Sequence, residues 1–175
     1  MERSLPLDKD ANIVLVGMPG AGKSTVGVLL AKRTARGFVD TDVLIEVREC
    51  LLLQEILDQS DYRNLRRIEQ EVLLDLHVRR HVIATGGSAA YSEKSMLHLK
   101  KHGVIVFLDV PCDRLDERVG NFDTRGIACP PDMTLPEIYA ERRPLYQKWA
   151  DITVPCGSQG HEEVVAAVMD ALAIR

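Results

Sequence analysis

The sequence predicts an α/β fold in which a parallel β-sheet lies between helices on both of its faces. Three observations support this prediction. Short apolar segments alternate along the chain with segments of helical periodicity. One of these segments, residues 12–16, is a short, continuously apolar run, as is typical of strands buried on both faces. The distinctive polar motifs follow such strands directly, and ligands of parallel sheets gather at the carboxyl ends of the strands.

The first half of the chain supplies three of the predicted strands. Residues 12–16 read NIVLV and run into Gly17, which is typical of a buried strand followed by a tight turn. The second strand is the short segment 38–39, which ends at Asp40, and the third is 81–85, which runs into a glycine pair. Helical periodicity over the intervening segments predicts helices at 23–36, 42–49, 52–58 and 61–79.

Two features support these helices. In the longest one, Leu65, Ile68 and Val72 recur at the spacing that places them on one helical face. Asp42 is a suitable N-cap for the helix that continues to Glu49, because its carboxylate can accept a hydrogen bond from a free backbone N–H. The pattern therefore predicts amphipathic helices that pack on the sheet.

The second half of the chain continues the same alternation. Residues 103–108 read GVIVFL and form the most apolar predicted strand, and 152–154 form the last one. The predicted helices of this half are 92–101, 113–119, 135–150 and 161–173. Residues 121–132 contain a glycine and a Pro-Pro pair and predict a mobile loop.

Composition excludes several classes of protein. A length of 175 residues fits one domain with a single core. The net charge of −4 lacks the basic excess of a nucleic-acid-binding protein. No apolar run approaches the ~20 residues that span a bilayer, and the N-terminus does not resemble a signal peptide. The four cysteines are scattered without a C-x-x-C pair, which favours reduced thiols in a cytoplasmic protein.

The segment from Gly17 to Ser24 reads GMPGAGKS and matches the phosphate-binding pattern G-x-x-x-x-G-K-[ST]. It lies between a predicted strand and a predicted helix, as its mechanism requires. Its backbone N–H groups and the helix N-terminus form a nest for phosphate. Lys23 supplies a positive charge to the β- and γ-phosphates, and the Ser24 hydroxyl is suited to Mg²⁺. The segment predicts binding of a nucleoside triphosphate, by a kinase, a switch or a motor.

Acidic residues follow the second strand as Asp40-Thr-Asp42. One carboxylate is placed to organise the water around Mg²⁺ and the other to hold an acceptor hydroxyl. The alternative interpretation is a helix N-cap with a solvated neighbour. A similar choice applies to Arg66 and Glu69, which are three residues apart in a helix and are compatible with a plain surface ion pair.

Further signals lie in the turn after the third strand and near the C-terminus. The Gly86-Gly87 pair indicates a tight turn or close approach of the backbone to a ligand. Arg125 lies in the predicted mobile loop, where a cation facing bound phosphates would close the site. Arg142 and Arg143 precede a proline, and a guanidinium is well suited to hold a carboxylate by two parallel hydrogen bonds.

The order of these segments along the chain resembles the shikimate kinase family. That family shows a phosphate loop, D-x-D, an arginine helix, a G-G-G turn, a lid arginine and R-x-P-L-Y. The matching segments of this chain read GMPGAGKST, DTD, LRRIE, GGS, TRGIA and RRPLY, and the resemblance as a whole extends from about residue 12 to the last helix.

The resemblance implies a P-loop kinase fold with strand order 2-3-1-4-5 and a mobile lid. It also implies that ATP phosphorylates the 3-hydroxyl of shikimate, with Mg²⁺ as cofactor. The implied ATP-binding residues are Gly20, Ala21, Gly22, Lys23, Ser24, Thr25, Arg125 and Gln159. The implied substrate-binding residues are Asp42, Arg66, Gly87 and Arg142. The implied catalytic residues are Lys23, Asp42 and Arg125, with Mg²⁺ on Ser24 and, through water, on Asp40.

The resemblance further implies one kinase domain over 1–175, with a substrate-binding region at about 40–70, a lid at about 119–133, and a monomeric state. Three positions depart from the family pattern: Ser88 replaces the third glycine of the turn, Gly126 follows the lid arginine where proline is usual, and Leu65 replaces an aromatic residue. These departures leave two alternatives open. One is a kinase for another small hydroxy acid, quinate-like or gluconate-like, and the other is a nucleotide-binding module without catalysis.

Overall fold

The computed structural model describes residues 7–119 and 126–174. Over these residues the chain forms five strands, eight α-helices and one short 3-10 helix at Ala89–Tyr91. The strands are β1 Asn12–Val16, β2 Gly37–Asp40, β3 His81–Ala84, β4 Gly103–Asp109 and β5 Ile152–Pro155. The helices are α1 Lys23–Thr34, α2 Thr41–Glu49, α3 Leu53–Gln59, α4 Tyr62–Leu74, α5 Glu93–Lys100, α6 Cys112–Val119, α7 Leu135–Trp149 and α8 His161–Ala171.

The strands form one parallel sheet in the order β2-β3-β1-β4-β5, which confirms the fold predicted from the sequence. Strand β1 lies at the centre, where every one of its residues is buried. Its register pairs Leu15 with Ala84 of β3 and with Val106 of β4. Because all strands run in one direction, the segments that follow β1, β2 and β3 meet at the same edge of the sheet.

The apolar residues form two clusters of different size. The large one joins both faces of the sheet to the helices that cover them and is the main core. The smaller cluster joins α2, α3 and α4, and its buried members are Ile45, Ile56, Leu65, Ile68, Val72 and Ala128. Helices α2, α3 and α4 are therefore held together beside the carboxyl edge of the sheet by their own packing.

Helix α4 ends at Leu74, five residues before the predicted end. The chain leaves the helix there because β1 holds the segment that leads into β3. The Asn12 side chain donates to the Val78 carbonyl over 2.8 Å and accepts from the His81 N–H over 2.9 Å. Helix α7, by contrast, continues through Pro144 to Trp149.

None of the helices in the described part of the chain has the length and apolar character needed to cross a bilayer.

Candidate active site

A cavity of about 340 Å³ opens at the carboxyl edge of the sheet. The phosphate loop after β1 forms one wall, and the turn after β3 forms another. Helices α2, α4 and α7 contribute Asp42, Glu69 and Arg142, and residues 126–128 close the remaining side. The segments that the sequence predicted to meet are thus brought to one space.

The phosphate loop curls around the start of α1. Gly20 and Gly22 adopt φ angles of 81° and 87°, which residues with a Cβ rarely adopt. Lys23 folds back on the loop, and its Nζ donates to the carbonyl oxygens of Gly17 and Met18 over 2.8 and 2.9 Å. An ammonium group has three N–H donors, so one remains for a ligand. Burial lowers the pKa of Lys23 to about 8, although Asp42 and Asp40 oppose that shift.

Most of the predicted ATP-binding residues of this loop line the cavity, namely Gly20, Gly22, Lys23, Ser24 and Thr25. Ala21 is the exception, because it is buried and its N–H donates to the Met18 carbonyl over 3.1 Å. Gln159 also lies apart from the cavity lining, and its Oε1 accepts from the Gly157 N–H over 2.6 Å. Arg125 lies outside the described residues.

The N-cap of helix α2 is not the aspartate that the sequence predicted. The N-cap of α2 is Asp40, whose Oδ1 accepts from the Asp42 N–H over 3.0 Å, so the prediction of Asp42 as the cap was wrong. Asp40 has the extended backbone of a cap because it ends β2. Asp42 is one residue inside the helix, and its side chain faces the cavity. Burial raises the pKa of Asp42 to about 6, with Lys23 opposing the shift.

Arg66 and Arg142 converge on one backbone oxygen. Arg66 donates to the Ala128 carbonyl from Nε over 3.2 Å and from Nη2 over 3.1 Å, and Arg142 donates to it from Nη2 over 2.7 Å. The alternative of a surface ion pair between Arg66 and Glu69 does not hold, since Glu69 is only 3% exposed and bonds Ser88 instead.

Aromatic rings fix the position of Arg66. Its guanidinium carbon lies 3.7 Å from the centre of the Tyr91 ring and 5.0 Å from that of Tyr62. Such stacking adds cation–π attraction and limits the rotamers of a long side chain. No local pattern of the sequence points to Tyr91, because its place in the short 3-10 helix after the glycine turn is set by the fold.

The two adjacent arginines of α7 point to different places. Arg142 is 1% exposed and reaches the cavity. Arg143 binds Asp109 at the end of β4 with two hydrogen bonds, from Nε over 3.0 Å and from Nη2 over 2.7 Å. Of the two arginines only Arg142 lines the cavity, and its selection as the carboxylate-binding residue stays a prediction.

The turn after β3 requires glycine because other groups approach it closely. A Cβ on Gly87 would lie 2.9 Å from both Arg142 Nη1 and Pro19. The Gly87 carbonyl also accepts from the Tyr146 hydroxyl over 2.5 Å. Gly87 thus lies close to both the phosphate loop and the arginine of α7, and its contact with substrate stays a prediction.

Glu69 is the site residue that sequence reasoning missed. It is buried beside the cavity, its Oε2 accepts from the Ser88 hydroxyl, and burial together with Asp42 raises its pKa to about 7. A signal was present in the sequence. Glu69 stands four residues after Leu65 and next to Ile68, so it shares the apolar stripe of α4 and had to be buried.

Comparisons with known proteins agree with one family. The model of the family described as shikimate kinase matches residues 19–173. A shikimate kinase of Thiobacillus denitrificans is 34% identical over 172 residues, which cover 95% of this chain and 94% of that protein. A solved shikimate kinase from Acinetobacter baumannii, in complex with shikimate, superposes with a TM-score of 0.85 at 28% identity over 93% of each chain. The shikimate kinase structure from Aquifex aeolicus has a TM-score of 0.78 at 33% identity, covering 93% of this chain and 96% of that one.

Proposed function

The chain belongs to the shikimate kinase family, and from this premise we propose that it transfers the γ-phosphate of ATP to the 3-hydroxyl of shikimate. One observation carries the proposal for this chain's own site. Two arginines from separate helices, Arg66 and Arg142, donate to a single oxygen atom beside the cavity that also contains Lys23 and Asp42.

The shared oxygen supports a proposal for how the acceptor is anchored. The Ala128 carbonyl offers one neutral oxygen to the two guanidinium groups. A carboxylate offers two charged oxygens to the same donors and forms stronger, charge-assisted bonds. We therefore expect the carboxylate of shikimate to replace the Ala128 carbonyl when it binds.

Asp42 is the residue proposed to orient the acceptor hydroxyl. It faces the cavity from the first turn of α2, and Lys23 of the phosphate loop lines the same cavity. Its pKa of about 6 leaves it largely ionised at neutral pH, when it accepts a hydrogen bond from a hydroxyl. In that state it can also take the hydroxyl proton as the phosphoryl group is transferred.

The phosphate loop is proposed to hold ATP. Its N–H groups and the third donor of Lys23 would bind the phosphates. Mg²⁺ would be held by the Ser24 hydroxyl and, through water, by Asp40, and it would neutralise charge on the phosphates. Ser24 lines the cavity, and Asp40 lies close enough to Lys23 to act on its pKa, so both fit this role. Arg125 keeps the role that the family resemblance implies.

The remaining assignments are proposals of the same kind. We propose that residues 40–70 form the acceptor-binding region and that 119–133 form a lid which excludes water during transfer. We also propose that the protein acts as a cytoplasmic monomer, which size-exclusion chromatography with light scattering tests.

A coupled assay of ATP turnover tests the function directly. Purified protein with ATP and Mg²⁺ should phosphorylate shikimate. Separate reactions with quinate or gluconate in place of shikimate test the alternative acceptors. A thermal unfolding assay gives an independent measure of binding. Shikimate at about 100 times its dissociation constant should stabilise the fold by roughly 2.7 kcal/mol, or raise Tm by about 5–10 °C. Stabilisation by ATP without turnover of shikimate would overturn the proposal.

A further inference from the structure

Ser88 makes a buried hydrogen bond that a glycine at its position would not allow. Its hydroxyl donates to Oε2 of Glu69, and both residues lie against the cavity. Ser88 ends the turn after β3, and its φ of −101° places no requirement for glycine on that position. The serine side chain is therefore tolerated by the backbone and engaged by the carboxylate.

The second carboxylate oxygen of Glu69 has no hydrogen-bond partner within the part of the chain that the structure describes. This atom, Oε1, is buried. A Cβ built on Gly86 would lie 2.2 Å from this atom and 2.7 Å from Oδ1 of Asp42. Both carboxylate oxygens thus lie within 2.7 Å of one point beside Gly86, so they are close to each other. A buried oxygen left without a partner is costly unless a ligand satisfies it.

We propose that Ser88 is a positioning residue that holds Glu69 by Oε2 and so presents Oε1, beside Asp42, to a hydroxyl of the acceptor. The inference rests on the proposed function and extends it to a second acceptor hydroxyl. Shikimate has several hydroxyl groups on its ring, so two neighbouring carboxylates can accept from two of them. Without the Ser88 hydroxyl, the Glu69 side chain is no longer fixed at its far end.

The charges around Glu69 fit this role. It faces Asp42 from α2, Lys23 from α1, and Arg142 from α7. Burial and the Asp42 carboxylate raise its pKa to about 7, while the Ser88 hydrogen bond, Arg142 and Lys23 lower it. Ser88 therefore favours the ionised form of Glu69, which is the form that accepts a hydroxyl proton donor at both oxygens.

A double-mutant cycle tests whether Ser88 acts through Glu69. Ser88→Ala, Glu69→Gln and the double variant are compared with the parent for KM of shikimate and KM of ATP. Loss of a hydrogen bond to a charged group should raise KM for shikimate by about 3–10-fold in Ser88→Ala and change KM for ATP by less than about 2-fold. In the Glu69→Gln background, Ser88→Ala should change neither constant appreciably.

The pH dependence gives a second readout that a merely structural serine would not move. In Ser88→Ala the acidic limb of kcat/KM for shikimate should shift to higher pH, because the bond that favours the ionised carboxylate is gone. Carbon-13 NMR of the glutamate carboxyl groups, with Glu69→Gln for assignment, should show the same shift in protein without substrate. The matched control is Ser95→Ala, because it removes the hydroxyl of a different buried serine, which lies on α5.

The outcomes separate the two proposals. A parent protein that does not turn over shikimate contradicts the proposed function. An active parent in which Ser88→Ala behaves like Ser95→Ala overturns the inference alone. So does a Ser88→Ala effect of equal size with and without Glu69, since that result means that Ser88 acts on the fold and not on the carboxylate.

Discussion

Arg66 of α4 and Arg142 of α7 donate hydrogen bonds to the same atom, the carbonyl oxygen of Ala128, over 3.1 and 2.7 Å from their respective Nη2 atoms. The two helices are remote in sequence, and Ala128 belongs to the apolar cluster of α2, α3 and α4. The donors are therefore held ready for an oxygen ligand before one binds. Under the proposed function, an acceptor carboxylate displaces the Ala128 carbonyl, so binding of the acid is linked to movement of Ala128, which lies within the proposed lid.

Replacing Arg142 by lysine tests the arginine pair. Lysine keeps the positive charge but loses the planar fork that donates to the shared oxygen and faces Gly87. Arg142→Lys should raise KM for shikimate by about 10–100-fold and leave KM for ATP within about 3-fold. Arg143→Lys is the control, because Arg143 binds Asp109 and does not line the cavity. Equal effects of the two variants would contradict the assignment of Arg142.

The ring of Tyr91 should matter more than its hydroxyl. The ring stacks on Arg66, whereas the hydroxyl donates to Glu141, which does not line the cavity. Tyr91→Leu should raise KM for shikimate by about 3–10-fold, since a partly desolvated cation–π contact contributes about 1 kcal/mol. Tyr91→Phe retains the ring face and should stay within about 2-fold of the parent. Steady-state kinetics of both variants measure the difference, and a larger effect from phenylalanine would rule out the stacking argument.

The fold was accessible from the sequence because its signals are local. Continuous apolar strands, a phosphate-loop pattern and helical periodicity each depend on residues close in the chain. Where long-range contacts decide, the prediction failed. Helix α4 ends early because Asn12 of a distant strand binds the Val78 carbonyl. Asp40, and not Asp42, caps α2. Because Asp40 is the last residue of β2, it already has the extended backbone that a cap needs.

The candidate site was predicted only in part, because some of its contacts join segments that are distant in the chain. Lys23 and Ser24 follow from their motif, and Asp42 and Arg142 from the order of motifs along the chain. The shared acceptor of Arg66 and Arg142 was not predictable, because it is a backbone atom of a different segment. The hydrogen bond between Ser88 and Glu69 depends on the packing of α4 against the turn after β3, which no local pattern encodes.

ATP binding should be accompanied by proton uptake at Lys23. Burial lowers the pKa of Lys23 to about 8 in the protein without ligand. Near pH 8, about half of the Lys23 side chains are therefore uncharged amines. Bound phosphates favour the charged form and raise that pKa again, which predicts uptake of up to about half a proton per ATP bound at pH 8. Calorimetry in two buffers of different ionisation enthalpy measures the uptake.

Two methionine variants complete that experiment. Lys23→Met should abolish the uptake and lower kcat by about 100-fold or more, because the charge on the β- and γ-phosphates is lost. Lys32→Met removes an exposed lysine from the last turn of the same helix and should change neither quantity. Undiminished proton uptake by Lys23→Met would assign the uptake to another group.

Glu69 should make the protein less stable at high pH than at low pH. Its pKa is about 7 in the folded protein, whereas an unperturbed glutamate side chain has a pKa of 4.5, so the folded state holds the proton more tightly than the unfolded state. Its contribution to the free energy of unfolding therefore falls as the pH rises through the interval from 4.5 to 7 and stays low above it. Glu69→Gln removes this dependence, since an amide does not ionise in that range.

Urea unfolding at several pH values measures the effect. Glu69→Gln should unfold with about the same free energy as the parent near pH 4.5, and at pH 8 it should be more stable by about 1–3 kcal/mol, with lower activity toward shikimate. Glu93→Gln, an exposed change in the first turn of α5, is the control for loss of one negative charge. A Glu69→Gln protein that is less stable than the parent at pH 8 would mean that attraction to Arg142 and Lys23 outweighs burial and the repulsion from Asp42. In that case Glu69 would be a structural counter-ion of Arg142, and it would not be a carboxylate that lowers stability in order to bind the acceptor.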